Sequence, residues 1–313
     1  MELRKEQFVN LHGHSCFSLF DGFGFPQEHM DFAHENGSRA LALTDHGSMN
    51  GLSYQLLRAK EMKAEGKDFK PIFGVEAYYI DSLEEWQTLR NEMAADKKRA
   101  KEIDKSDSAM VVEDEQRNDK RALGRKRHIV LLAQNQKGLE NIYEMVSKSY
   151  SGDYFYRKPR IDWELLKKHQ EGVIVATACL GGIAAGSMWK HQEEGEDAIV
   201  DDMLANLTKF RDTFGDRFYA ELQWNNIPEQ HLLNKCLIKV AQQLDIKLIS
   251  TCDSHYPRPD AWKDREVYKR LGWLGKMPAW MDDNIPESVE EIGYELYPKN
   301  AQEMWESYKR YAD

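Results

Sequence analysis

The 313-residue chain has only four cysteines, Cys16, Cys179, Cys236 and Cys252, and their spacing matches no secreted disulfide scaffold. A reducing compartment and no disulfide are therefore expected. It also lacks any apolar run approaching the ~20 residues that a membrane span needs, and the opening MELRKEQFVNLH carries no apolar stretch ahead of a cleavage site. The expectation is a soluble, cytoplasmic protein with no membrane partner. Positive charge is in short supply as well: 43 basic against 53 acidic residues give a net charge of -10, which argues against tight, nonspecific binding to duplex DNA and confines any nucleic-acid contact to a local patch. There is no internal repeat and no low-complexity tract. What the chain does have is 41% hydrophobic residues, including eight Trp, fourteen Tyr and twelve Phe, the makeup of a folded protein able to bury a sizeable core.

Seven short apolar runs read as strands: FVNLH (8–12), ALALT (40–44), PIFGVEAYYI (71–80), HIVLLA (128–133), VIVATA (173–178), FYAELQW (218–224) and KLIST (247–251). Helical patterns lie between them. The clearest is 228–244, where Leu232, Leu233, Cys236, Leu237, Val240, Ala241 and Leu244 recur at helical spacing and form one apolar face. Pro26 and Gly37 bracket a second helix, and Asn50 and Gly66 a third. Alternating strands and helices imply parallel strands joined by right-handed crossovers, with the sheet covered on its outer face. The predicted architecture is a seven-stranded (β/α) barrel, and a doubly wound open sheet is the alternative. Residues 81–127, with KKRAK at 97–101 and KRALGRKR at 120–127, read as a charged helical insertion followed by an exposed loop. From about 257 the chain carries Trp, Pro and acidic residues without a further strand and helix pair. The expected division is thus a barrel over 1–257 and a C-terminal extension over 258–313.

In a (β/α) barrel, chemistry collects where strands end and loops begin. Strand one here runs into His12, Gly13 and His14, and strand two into Thr44, Asp45, His46 and Gly47. Strand three carries Glu76, strand five leads to Cys179, and strand seven leads to Asp253, Ser254 and His255. A lone His at a strand end is most often a hydrogen-bonded structural residue. His12 and His14, however, lie two apart, which on a strand points both rings to one face, and Asp253 and His255 repeat that spacing. So many ligand-type residues at one rim point to a polynuclear metal site. Mixed imidazole, carboxylate and thiolate donors favour zinc, manganese or iron over magnesium. Asp45 reads either as a partner orienting a ligand or as a helix cap. Residues 154–160 interleave aromatic rings with positive charge, as single-strand binding surfaces do and as plain surface loops also can. Gly181 and Gly182 after Cys179 would let backbone N–H groups approach a phosphate, or serve simply as a turn.

His12-x-His14-Ser15 with Asp21 in SLFDG, His46 in LTDHG, Glu76 in FGVEAY, His128 in RHIVLLAQN, Cys179 in ATACLGG, and Asp253 with His255 in TCDSHY together resemble the motifs of the PHP (polymerase and histidinol phosphatase) family, in family order. The resemblance covers roughly residues 7–257, and FYRKPRID at 155–162 is similar to the branch found in the alpha subunit of bacterial C-family DNA polymerase III. It implies a PHP-type distorted (β/α)7 barrel with three divalent metal ions, Zn2+ or Mn2+, with Fe2+ also admissible. One ion would take His12, His14, Glu76 and Asp253; a second would share Glu76 and take His128 and Cys179; a third would take Asp21, His46 and His255. Catalysis would rest on Glu76, Asp253 and His255. The implied reaction is phosphoester hydrolysis, as a 3′–5′ proofreading exonuclease acting on a DNA 3′ end, with Tyr156, Arg157, Lys158 and Arg160 touching the nucleic acid. The implied partners are the remainder of a C-family polymerase and other replisome proteins. A small-molecule phosphatase of the histidinol phosphatase kind and a metal-stabilised structural module of the polymerase are the rival readings. The tail YELYPKNAQEMWESYKRYAD resembles the stretch joining PHP to palm, as in an excised domain or in a separate protein of the kind a phage encodes, which would work in its host's cytoplasm. Spacing alone ranks His128 last among the ligands, because it opens its strand instead of ending it. The chain also departs from the family after the last motif, where Lys263, Asp264 and Arg265 stand in place of a His-Asp pair.

Overall fold

Six of the seven expected strands form ladders in the computed structural model, which describes residues 3–103, 122–274 and 284–312. They are joined by a short extra pair, giving β1 (Ala40–Leu43), β2 (Lys70–Ile80), β3 (Arg127–Ala133), β4 (Phe155–Tyr156), β5 (Lys158–Asp162), β6 (Val173–Ala176), β7 (Phe218–Gln223) and β8 (Lys247–Thr251). The first expected strand is a segment that makes single bridges instead of a ladder. Asn10 pairs with Leu41 of β1, and Gly13 pairs with Ser254 just beyond β8. These bridges close the sheet on itself: Ala42 N donates to the Asn10 carbonyl at 3.0 Å, and His14 N to the Ser254 carbonyl at 2.6 Å. From the N-terminal segment the ring runs through β1, β2, β3, β6, β7 and β8 and back, a distorted seven-stranded barrel with β5 and β4 hanging from β2. The open-sheet alternative is thereby set aside.

Strand direction departs from the expectation of an all-parallel barrel. β1–β2, β6–β7 and β7–β8 are parallel, but β3 runs antiparallel to both β2 and β6. The reason is the connection. Tyr79, near the end of the 11-residue β2, pairs with Arg127, the first residue of β3, so the chain leaves and re-enters the barrel at the same rim. Helix α3 (Leu83–Ile103) is the helical part of that charged insertion. The loop expected after it falls largely on residues 104–121, outside the described residues.

Helices α1 (Pro26–Glu35), α2 (Leu52–Ala64), α4 (Gln136–Ser149), α5 (Trp163–Lys168), α6 (Ala185–His191), α7 (Glu196–Phe214) and α8 (Pro228–Leu244) connect the strands. Helix α8 has the limits its periodicity predicted. Pro228 opens it, where the missing N–H costs nothing, and Asp245 ends it in a left-handed conformation, φ 54°. Period-two alternation divides the apolar residues into two layers. Phe218, Ala220 and Leu222 of β7 join Val75, Ile129, Leu131 and the inner faces of α7 and α8 outside the barrel. Val130, Leu132, Ala42 and Ala176, with Leu11, Ile72, Ile174, Tyr219 and Ile249, form a second cluster. Beyond β8 come α9 (Trp262–Leu271), α10 (Val289–Ile292) and α11 (Ala301–Tyr311). This last stretch returns to the barrel seam, where the Leu296 carbonyl accepts from the backbone N–H groups of His255 and Tyr256.

Candidate metal centre

Glu76 is the hub of the polar rim. It sits inside β2, fully buried, because β2 is long enough to carry its middle past the end of β1. Its Oε1 lies 3.4 Å from His12 Nε2, 3.0 Å from His128 Nδ1 and 3.8 Å from Cys179 Sγ. Its Oε2 lies 3.3 Å from His14 Nε2 and 2.6 Å from His46 Nδ1. Asp253 Oδ1 stands 3.3 Å from the Nε2 atoms of both His12 and His14. Asp21 Oδ2 faces His46 Nε2 at 3.1 Å and His255 Nε2 at 3.4 Å. Each of the nine residues expected as ligands is therefore within 3.8 Å of another member of the set. His128 belongs because β3 is antiparallel: running backwards, that strand begins at the rim where its neighbours end.

The donor chemistry suits divalent cations. His14 groups with His46 and His255, His12 with His14 and Asp253, and His46 with Glu76 and His128, each trio offering ligand atoms within 4.8 Å of one another. Glu76 Oε2, His46 Nδ1 and Asp253 Oδ1 are buried and make no hydrogen bond of good geometry, although Glu76 Oε2 and His46 Nδ1 approach each other to 2.6 Å and Asp253 Oδ1 stands 3.3 Å from two imidazole nitrogens. A buried polar atom left unsatisfied costs ~1–3 kcal/mol, and a cation lying between such nitrogens and oxygens would satisfy both. Burial lowers the proton affinity of His12, but Asp253, Glu221 and Glu76 outweigh it and hold its pKa well above the usual range. That negative field is what a bound cation would meet. His14, by contrast, is pushed down to about 3 by burial and then by His46 and His255. Burial, and after it Glu76 and Asp253, hold the Cys179 thiol well above its ordinary range.

Neighbours fix which ring nitrogen faces the centre. His12 Nδ1 is 2.7 Å from Glu221 Oε1, and His255 Nδ1 is 2.7 Å from the Asp253 carbonyl, so both present Nε2 inward. Ser18 Oγ donates to Asp45 Oδ1 at 2.8 Å, which leaves it to accept from His14 Nδ1 at 2.9 Å. Asp45 also accepts from the backbone N–H and hydroxyl of Ser15, and thus works as an orienting partner. Asp253, itself an expected ligand, and Ala178, next to Cys179, hold left-handed backbone at φ 48° and 62°. Such strain persists where the surroundings overdetermine a conformation.

Two residues of this network escaped the sequence reading. Glu221 on β7 is buried and bonds His12, Thr251 and Gln223. Its signal was an acid in an apolar strand, on the face that alternation turns away from Phe218, Ala220 and Leu222. Arg265 of α9 is buried and donates to the Asp21 carbonyl at 2.9 Å and to Asp21 Oδ1 at 2.5 Å. Burial opposes the Asp21 charge, yet His255 and Arg265 bring its pKa well below the carboxylate norm.

The residues expected to touch DNA divide. Arg157 and Lys158 are exposed and Tyr156 is half-buried against Trp86, at 5.3 Å between rings. Arg160 is a correction. Its guanidinium lies 4.0 Å from the Trp86 ring, donates to the carbonyls of Asp153 and Tyr154, and is buried, so it holds the β4–β5 turn in place and does not face solvent. A cavity of about 550 Å³ lies elsewhere, among Leu11, Ile72, Val130, Leu132, Ile174 and Ile249, and none of the nine ligand candidates lines it.

Residues 10–225 match the family model described as the PHP domain. The chain is 37% identical over 259 residues, 82% of its length, to the DNA polymerase III subunit alpha of Aquifex aeolicus, and 30% identical over 303 residues, 96% of its length, to that of Deinococcus radiodurans. It spans about a fifth, 19%, of the length of each. Among solved structures, a histidinol phosphate phosphatase from Lactococcus lactis complexed with zinc, L-histidinol and phosphate is 14% identical, with a TM-score of 0.38 over 87% of this chain and 95% of that one.

Proposed function

Since the chain belongs to the PHP domain family, we propose that it is a metal-dependent phosphoesterase that removes nucleotides from DNA 3′ ends, as the editing part of an alpha-type replicative polymerase. The observation that carries this reading is the convergence of nine ligand-type side chains on Glu76 and its neighbours, with three buried ligand atoms that make no hydrogen bond of good geometry. Three ions would be held by His12, His14, Glu76 and Asp253, by the shared Glu76 with His128 and Cys179, and by Asp21, His46 and His255. Bound there, divalent ions activate a nucleophile near neutral pH and offset charge on a phosphoryl group. The chain's own residues do the rest. Glu76 and Asp253 hold the negative field at the centre, Glu221 and Ser18 fix the rings of His12 and His14, and His255 faces Asp21. Tyr156, Arg157 and Lys158 would guide the strand, the residues before 258 forming the catalytic barrel and those after it leading towards the rest of a polymerase.

The test uses a single strand labelled at its 5′ end, incubated with the chain and Zn2+ or Mn2+. A ladder of products shortened from the 3′ end is expected, and a chelator should abolish it. An uncut strand with fully metallated protein would favour a structural module instead. Release of phosphate from histidinol phosphate without attack on DNA would favour the small-molecule reading.

Arg265 gives a second expected result. Its guanidinium fixes Asp21 with Oδ2 towards His46 and His255, and its own charge is shared with the buried Glu266 carboxylate at 3.0 Å. Arg265→Met should therefore cost about one metal equivalent per chain, read by elemental analysis after gel filtration, because freeing a ligand's partner typically weakens metal binding ~10–100-fold. Unchanged metal content would show that Asp21 needs no such support.

A further inference from the structure

Tyr78 lies next to two of the candidate ligands, its ring 5.9 Å from that of His46 and 5.3 Å from that of His128. On it converge two ammonium groups, Lys126 Nζ at 5.1 Å and Lys158 Nζ at 5.5 Å from the ring centre. They come from different elements. Lys126 immediately precedes β3, and Lys158 opens β5; in register, Tyr78 faces His128 on one side and Arg160 on the other. Among the described residues neither lysine forms an ion pair with a carboxylate. Scarcity does not explain this, because acidic residues outnumber basic ones by 53 to 43.

Tyr78 is buried, and a cation over its ring gains ~0.5–2 kcal/mol according to how far it is desolvated. Two like charges sharing one ring repel each other, and with no carboxylate paired to either among the described residues, an anion set between them would relieve that repulsion. The adjoining turn adds a second sign of function. Arg157 occupies a left-handed conformation, φ 61°, in the tight turn between β4 and β5, where glycine would fit without strain. Ahead of the turn in the chain, Tyr150 and Phe155 stack at 6.1 Å with half of each ring exposed.

We infer that Lys126 and Lys158, over Tyr78, form a subsite for a second phosphate of the substrate, next to the one at the metal centre. The ligand class is a single-stranded polynucleotide, which carries a neighbouring phosphodiester for the lysines and a base for the Tyr150–Phe155 stack; a phosphomonoester offers neither. This rests on the phosphoesterase reading and deepens it, by assigning a neighbouring phosphate of the strand to two named lysines. Stacking on aromatics with phosphates held by lysine is a sequence-tolerant mode, suited to an enzyme that must accept any 3′ end.

The test measures binding of a fluorescent single-stranded oligonucleotide by anisotropy at several salt concentrations, with Lys126→Met/Lys158→Met compared against Lys60→Met/Lys63→Met on α2. The control pair removes the same charge from another surface. The first pair should weaken binding about tenfold and flatten the salt dependence by ~0.7 for each phosphate no longer neutralised, with the control within about twofold of the unmodified chain. Lys126→Arg/Lys158→Arg should restore most of the affinity. Equal losses in both Met pairs, or none in either, would overturn the subsite. Because binding is read apart from cleavage, DNA that binds through these lysines but is never cut would sink the phosphoesterase reading alone. Cleavage with unchanged affinity in the first pair would sink the subsite alone.

Discussion

Asp253→Asn should lower phosphoester turnover by on the order of 100-fold or more while leaving the fold intact. The choice of Asn isolates the charge. Asp253 has left-handed backbone, φ 48°, which Asn tolerates better than almost any other side chain, so the variant adds little strain. It keeps the volume and one oxygen that can face His12 and His14. What it loses is the carboxylate charge, one of the main sources of the negative field that raises the His12 pKa. Circular dichroism should be unchanged, and metal titration should show weakened occupancy at one position. A variant that stays fully active with a full metal complement would remove Asp253 from the chemistry.

The second large effect belongs to Glu221, which need not touch an ion. Glu221→Ala would leave His12 Nδ1, the Thr251 hydroxyl and the Gln223 amide without their shared acceptor in a buried setting. Each orphan costs ~1–3 kcal/mol, and a freed imidazole can turn its wrong nitrogen inward. Metal affinity should fall ~10–100-fold, as for other outer partners of ligating histidines, and the thermal midpoint of the apo chain should fall too. Glu221→Gln, which keeps an acceptor, should lie between the two. Competition against a chromogenic chelator gives the affinities, and equal values for all three proteins would refute the role.

These two residues mark where sequence reading succeeded and where it stopped. Asp253 was legible because Asp253 and His255 stand two apart at a strand end, the spacing that puts both on one face. Strand positions were legible for the same kind of reason: near-continuous apolar runs such as HIVLLA and KLIST leave little choice. The direction of β3 was not, since alternation of strands and helices says nothing about which rim a long connection returns to. That blind spot is also why His128 looked misplaced. Glu221 was hidden by its type, an acid that bonds His12 without being one of the expected ligands, and Arg265 by its distance from Asp21 in sequence. Arg160 was misread because KPR shows three residues in a row but not that Arg160 turns inward, onto Trp86.

The seam that closes the barrel carries a consequence for how the protein is made. Asn10 bonds Ser254 across 244 residues, and His12 and His14 meet Asp253 only there. Such a pairing has among the highest contact orders the chain allows, and loop closure has to be met before it returns any stabilisation. During synthesis the first histidines emerge long before the last carboxylate, so the nascent chain exposes imidazoles with no centre to occupy. The expected order is therefore ring closure late in folding, with the His12–Asp253 position complete only once the two ends of the chain have met.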